Sequence, residues 1–181
     1  FSGIFGLKTT KGRWPTNGVV PLCRTLDTIG PITMSASDAA AVFSALTGIS
    51  TPVAAQPRGV RLGKPTTHFF DDLDQDVKRC VDAALTALEA AGVEIVDCEV
   101  PETSEHNKSV SALIAADFIG AFGRERFEAS RADMDPDVWD RLRPGLDMTA
   151  DALIRLMWRH REHQQKALYR MEGLDGWVTP T

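Results

Sequence analysis

The chain has 181 residues, 43% hydrophobic and 25% charged, a balance that fits an ordinary soluble globule long enough for one sizeable core. Its formal net charge of -5, with no basic run and no basic–aromatic interleaving, argues against nucleic acid as a partner. No apolar run approaches the roughly 18 residues of a membrane span and no signal-peptide pattern is present, while three cysteines without CxxC spacing (Cys23, Cys80, Cys98) read as free thiols of a cytoplasmic protein.

From Gly12 to Pro31 the chain is punctuated by Gly12, Pro15, Gly18, Pro21, Gly30 and Pro31, spaced so that no ordinary helix runs through. Thr16-Asn17-Gly18 reads as a turn and Gly18 to Leu22 as a short buried strand. Taken alone, the run is a tightly wound connection packed on a core. Next comes a helix from Ser37 to Leu46, capped by Ser35 or Ser37, with Ala39, Val42, Phe43 and Leu46 as its stripe. A proline-bearing linker covers 49–57.

Arg58 to Pro65 reads as a strand. Its Gly63-Lys64 invites a phosphate-loop reading, but Pro65 follows and the GxxxxGK[ST] spacing fails. The clearest helix is Leu73 to Ala91, with Val77, Val81, Ala84 and Leu88 on one face and Gly92 at its end. Asp71, Asp72, Asp74 and Asp76 crowd its start, where acidic residues need no metal to explain them. Val93 to Val100 alternates as a strand, so strand, helix and strand form a right-handed crossover within one sheet. The remainder is mainly helical: Ser109 to Arg131, Pro136 to Leu142, and Ala150 to Glu172 capped by Thr149, with Leu153, Leu156, Met157, Leu168 and Met171 inward. A closing strand spans Asp175 to Thr179. His160 and His163 stand three apart on the last helix, a spacing that can bind metal but lacks a third ligand, so packing or solvation is the reading. Trp14, Trp139, Trp158 and Trp177 read as packing residues.

GLKTTKGR followed by GVVPL and LDTIGP resembles the segment that follows the nucleophilic serine of amidase signature enzymes. Gly6, Leu7, Lys8, Thr10, Gly12, Arg13, Gly18, Pro21, Leu26, Asp27, Thr28, Gly30 and Pro31 match that pattern. Thr9 stands where the family usually has proline, and Thr25 where it has serine. The resemblance implies an α/β fold, a mixed β-sheet flanked by helices on both faces, in one partial domain. Within it, 1–57 would be the post-nucleophile connection and first helix, 58–101 the strand-helix-strand unit, and 102–181 a mainly helical segment ending in a strand.

The resemblance also implies a chemistry. Members hydrolyse a linear carboxylic amide C–N bond with a serine nucleophile, a second serine across a cis peptide, and a lysine that together shuttle the proton. Those motifs would lie upstream of Phe1, making this an inactive piece of a longer protein cut at both ends. Ser2 and Lys8 are then neither nucleophile nor catalytic lysine. Gly6, Lys8, Gly12, Arg13, Asp27, Thr28, Gly30 and Pro31 become structural motif positions, with Lys8, Arg13 and Asp27 tying the connection by charge-assisted hydrogen bonds. Asp137 to Gly145 resembles a family motif in which, in the members that amidate aminoacyl-tRNA, an arginine anchors the substrate carboxylate; that position is Arg141, the alternative being an arginine solvated or paired locally on a short helix. Asp117 falls where many relatives have glutamate, a weaker substrate-binding candidate. The expected partner is a small-molecule amide, with no cofactor, metal, nucleic acid or membrane, and a homodimer of the parent is open. RTLDTIGP differs from the SSLDQIGP of tRNA-dependent members, which leaves a bacterial small-amide hydrolase as the best description. The rival reading is a truncated relative acting as a non-catalytic binding or assembly module.

Overall fold

The computed structural model describes residues 3–50 and 56–180, which divide into two units. The first takes residues up to 55 and 114–148, the second 56–113 and 149 onward. In the first, β1 (Phe5–Gly6) pairs antiparallel with β2 (Ile32–Thr33), Phe5 opposite Thr33. Helix α1 (Ala36–Thr47) starts where Ser35 Oγ accepts from the Asp38 N–H at 3.1 Å and stops at Gly48, whose φ of 70° suits glycine. Ala39, Val42 and Phe43 lie on its covered face, whereas Leu46, expected there, is exposed.

The second unit is built on a parallel sheet. β3 (Arg61–Pro65) lies between β4 (Glu94–Cys98) and β5 (Gly176–Trp177), parallel to both, with Leu62 opposite Ile95 on one side and Gly176 on the other. Between β3 and β4 runs α2 (Gln75–Ala90), capped by Asp74. The acidic cluster is thus a helix start: Asp74 receives the Asp76 N–H, and Asp71 receives that of His68. Leu85 is the buried residue of α2, and Ala84, expected inside, is exposed. With one parallel and one antiparallel sheet among helices, the α/β class holds.

Three expectations need correction. Residues 18–22 form no strand, and Val19, Val20 and Leu22 are exposed. The N–H groups a ladder would need are used locally: Val19 donates to the Thr16 carbonyl, Leu22 and Cys23 to the Asp27 carboxylate, and Pro21 has none. The long helix expected from Ser109 to Arg131 is two helices, α3 (Thr103–Phe122) and α4 (Arg124–Ala129), parted at Gly123 with φ of 92°. In α6 (Ala150–Arg170) the expected inward Leu168 is exposed, as is Trp158, while His160 and His163 are the buried positions.

The first unit's core gathers where α4 and α5 (Pro136–Leu142) meet the later part of α3. Phe127 is fully buried and stacks on Trp139, ring centroids 4.4 Å apart, beside Ile119 and Leu142. Burial of such a ring contributes about 1.5–3 kcal/mol. After α5 the 3-10 turn Arg143–Asp147 carries Gly145 against α3 so closely that a Cβ there would sit 2.3 Å from the Ala115 carbonyl oxygen and 2.9 Å from Ile119 Cγ1. Gly145→Ala is therefore expected to destabilise the chain by about 2 kcal/mol or more, read as a lowered urea midpoint.

Candidate functional site

The motif-bearing connection is a loop whose polar groups hold its own backbone. Its two ends lie side by side: the Leu7 N–H donates to the Pro31 carbonyl at 3.0 Å, and the buried Thr9 donates from Oγ1 to the Ile29 carbonyl at 2.8 Å. Gly30 lies against the Leu7 carbonyl, where no side chain fits. Within the loop Asp27 is the organiser. Its carboxylate accepts from the Leu22 and Cys23 N–H groups at 3.1 Å, while its own N–H and that of Leu26 return to the Cys23 carbonyl at 2.7 and 2.9 Å. A carboxylate with two backbone donors fixes a turn that sequence alone leaves floppy.

Asp117, on the part of α3 that belongs to the first unit, closes this arrangement. Its Oδ2 accepts from the Thr25 N–H at 2.8 Å and from the Cys23 thiol at 3.4 Å. Partial burial works to raise the Asp117 pKa, but the hydrogen bonds from Thr25 and Cys23 outweigh it and hold the carboxyl below its ordinary value. The same contact acts oppositely on the thiol. Burial first, then the hydrogen bond to Asp117 and its charge, push Cys23 from an ordinary 9.0 to about 11. Two pH units cut the thiolate fraction about a hundredfold, so Cys23 is expected to resist a thiol reagent at pH 8 until the chain is denatured, while exposed Cys80 reacts at once. Mass-resolved labelling of the native and denatured chain checks this.

The remaining motif positions are placed as follows. Gly12 and Gly18 sit at φ of 78° and 83°, turns that favour glycine. Lys8 donates to the Thr9 carbonyl at 3.3 Å, and the Arg13 guanidinium lies over the Phe43 ring at 5.7 Å rather than in an ion pair. Thr28 is half-buried, and at Gly6 a Cβ would meet nothing within 4 Å. The partners of these side chains are Thr9 for Lys8, Phe43 for Arg13, Leu22 and Cys23 for Asp27, and Thr25 and Cys23 for Asp117; Ser2 lies outside the described residues, as does most of the 49–57 linker. Arg141 is exposed in the last turn of α5, and its side chain makes no hydrogen bond or ion pair among the described residues. The loop and Arg141 therefore offer positioning and one open guanidinium, not a nucleophile with its base.

Two features escaped the sequence reading. Thr9, a departure from the family pattern, has its own structural task, replacing a rigid proline with a cross-loop hydrogen bond. The histidines His160 and His163 are joined by His106, from the start of α3, whose ring is 5.6 Å from each. No local signal in the sequence links His106 to them.

The Amidase family model matches residues 1–174. The chain is 37% identical over 147 residues to the 2-amino-5-chloromuconic acid deaminase of Comamonas testosteroni, covering 78% of this chain and 32% of that protein. It is 33% identical over 114 residues to the indoleacetamide hydrolase of Rhizobium radiobacter, covering 62% of this chain and 24% of the relative. The crystal structure of an amidase superposes with a TM-score of 0.85 at 21% identity, over 99% of this chain and 42% of the other. The chain thus spans about a third or less of the length of these curated relatives. Over nearly its whole length the chain belongs to the amidase family.

Proposed function

We propose that this chain is the segment following the nucleophile of an enzyme that hydrolyses linear carboxylic amides, and that its role is to hold the catalytic serine's neighbourhood in place. The observation that carries this reading is the loop from Gly6 to Pro31, which resembles the family's post-nucleophile run and is clamped by Asp27 and Asp117. The triad of serine, cis-serine and lysine is assigned to the polypeptide preceding Phe1. There the serine oxygen attacks the amide carbonyl, the amine leaves with a proton passed through the lysine–serine pair, and water then cleaves the acyl-serine ester. Arg141, with its unpaired guanidinium, is assigned to a carboxylate on the substrate.

Expressing the 181-residue chain beside a form extended upstream through the source coding region tests the reading. Only the extended form should release ammonia from simple amides such as indole-3-acetamide, and changing its nucleophilic serine to alanine should abolish that. Serine-dependent activity from the 181-residue chain alone, or none from the extended form over a broad amide panel, would overturn it. In the extended form, Arg141→Ala is expected to raise KM for carboxylate-bearing amides about tenfold or more while leaving neutral amides unaffected, measured by steady-state kinetics.

A further inference from the structure

Away from the motif-bearing loop, the second unit holds a cavity of about 250 Å³ into which three imidazoles face. His106 stacks on His160, rings 17° apart in plane, and meets His163 edge-on, both at 5.6 Å between centroids. His160 is 8% exposed and His163 7%. In each of the three, Nδ1 is buried with no hydrogen-bond partner. A proton on that nitrogen would be a buried donor without an acceptor, so the neutral ring carries it on Nε2, the edge left open. The cavity is therefore supplied with N–H donors.

The one carboxylate on its wall is already paired. Glu102 lies on its wall, but both carboxylate oxygens are held by Arg170, at 2.9 and 2.8 Å. Glu162 is paired with Lys166 at 2.7 Å, and Glu105, the other carboxylate of this neighbourhood, points to solvent. The rest of the wall is Phe69, Val100, Ala167 and Trp177, with Thr103, whose hydroxyl donates to the Val100 carbonyl at 2.8 Å, and the side-chain amide of Gln164. Among the described residues no three His, Cys, Asp or Glu side chains are placed to hold a metal ion together.

We propose that this cavity binds a small carboxylate with a ring-sized apolar body, the carboxylate received by the Nε2 edges of His106, His160 and His163 and the body by Phe69, Val100 and Trp177. The site is separate from the amide chemistry proposed above and does not depend on it. Burial, together with the neighbouring imidazoles, holds His106 and His160 below the ordinary histidine value, so both rest neutral at pH 7. The carboxylate therefore meets neutral Nε2–H donors, and binding takes up no proton.

Benzoate is the probe, with benzyl alcohol as its uncharged counterpart and acetate as the carboxylate without a ring. Calorimetric titration of the full chain between about pH 7 and 8 should show benzoate bound with a heat that does not depend on the ionisation enthalpy of the buffer, and both controls at least about tenfold weaker than benzoate. His163→Gln should weaken benzoate by about tenfold or more. Should that variant fail to fold, imidazole nitrogen spectra of the unaltered chain decide, because benzoate must shift the signals of all three histidines. Unmoved histidine signals, proton uptake on binding, or equal binding of benzyl alcohol would each overturn the proposal.

Discussion

Gly30→Ala is expected to cost about 3 kcal/mol or more, a large share of the roughly 5–15 kcal/mol that holds an ordinary domain folded. The reason is a backbone contact rather than a conformational preference. A Cβ at Gly30 would lie 1.7 Å from the Leu7 carbonyl oxygen and 2.9 Å from its carbon. No rotamer relieves that, because neither partner is a side chain. Moving apart would break the Leu7 N–H bond to the Pro31 carbonyl and the Thr9 hydroxyl bond to the Ile29 carbonyl, which join the same two stretches. Beyond them the β1–β2 pairing, Gly6 opposite Ile32, continues the same approach. Gly6→Ala is the control: nothing lies within 4 Å of its Cβ position, so the change should stay within about 0.5 kcal/mol. Equal urea midpoints for the two variants would show that the loop ends are not in contact.

What the sequence disclosed, and what it withheld, divides by the range of the interactions. The starts of α1 and α6 were legible because the cap and its N–H lie within three residues, Ser35 with Asp38 and Thr149 with Ala152, whereas α3 begins at Thr103, ahead of the expected Ser109. The strand-helix-strand unit was legible from its periodicity, and its two strands are parallel neighbours in register. Residues 18–22 were misread because their apolar pattern was that of a strand while Asp27, five residues past Leu22, captured the N–H groups. Asp117 was singled out by family position, yet its partners Thr25 and Cys23 lie 92 and 94 residues away and could not be inferred from spacing. The histidine cluster divides the same way. His160 and His163 share a helix face and were seen together; His106 reaches them only through the packing of α3 on α6.

Asp117→Ala is expected to cost about 2–3 kcal/mol, because it deletes a charged acceptor and strands two donors. The Thr25 N–H and the buried Cys23 thiol both end on the same Asp117 oxygen, and no other acceptor in this arrangement replaces it. Asp117→Asn separates charge from shape, since its amide oxygen still accepts one bond. The pH dependence gives the distinguishing signature. Because the folded Asp117 pKa lies below the ordinary carboxylate value, the charged form's contribution is complete above the unfolded value of about 3.9 and is lost as pH falls through the folded one. The stability gap between the unaltered chain and Asp117→Asn should therefore be constant from neutral pH to about pH 5, then narrow in acid. A second readout follows from the thiol. Asp117→Asn takes away the carboxylate charge that helps raise Cys23 and leaves a weaker, uncharged acceptor, while burial still raises it. Cys23 should then label measurably faster in folded Asp117→Asn than in the unaltered chain. Unchanged stability and unchanged labelling together would mean that Asp117 is free of the loop, and its place in the family motif would then have to be explained by substrate instead.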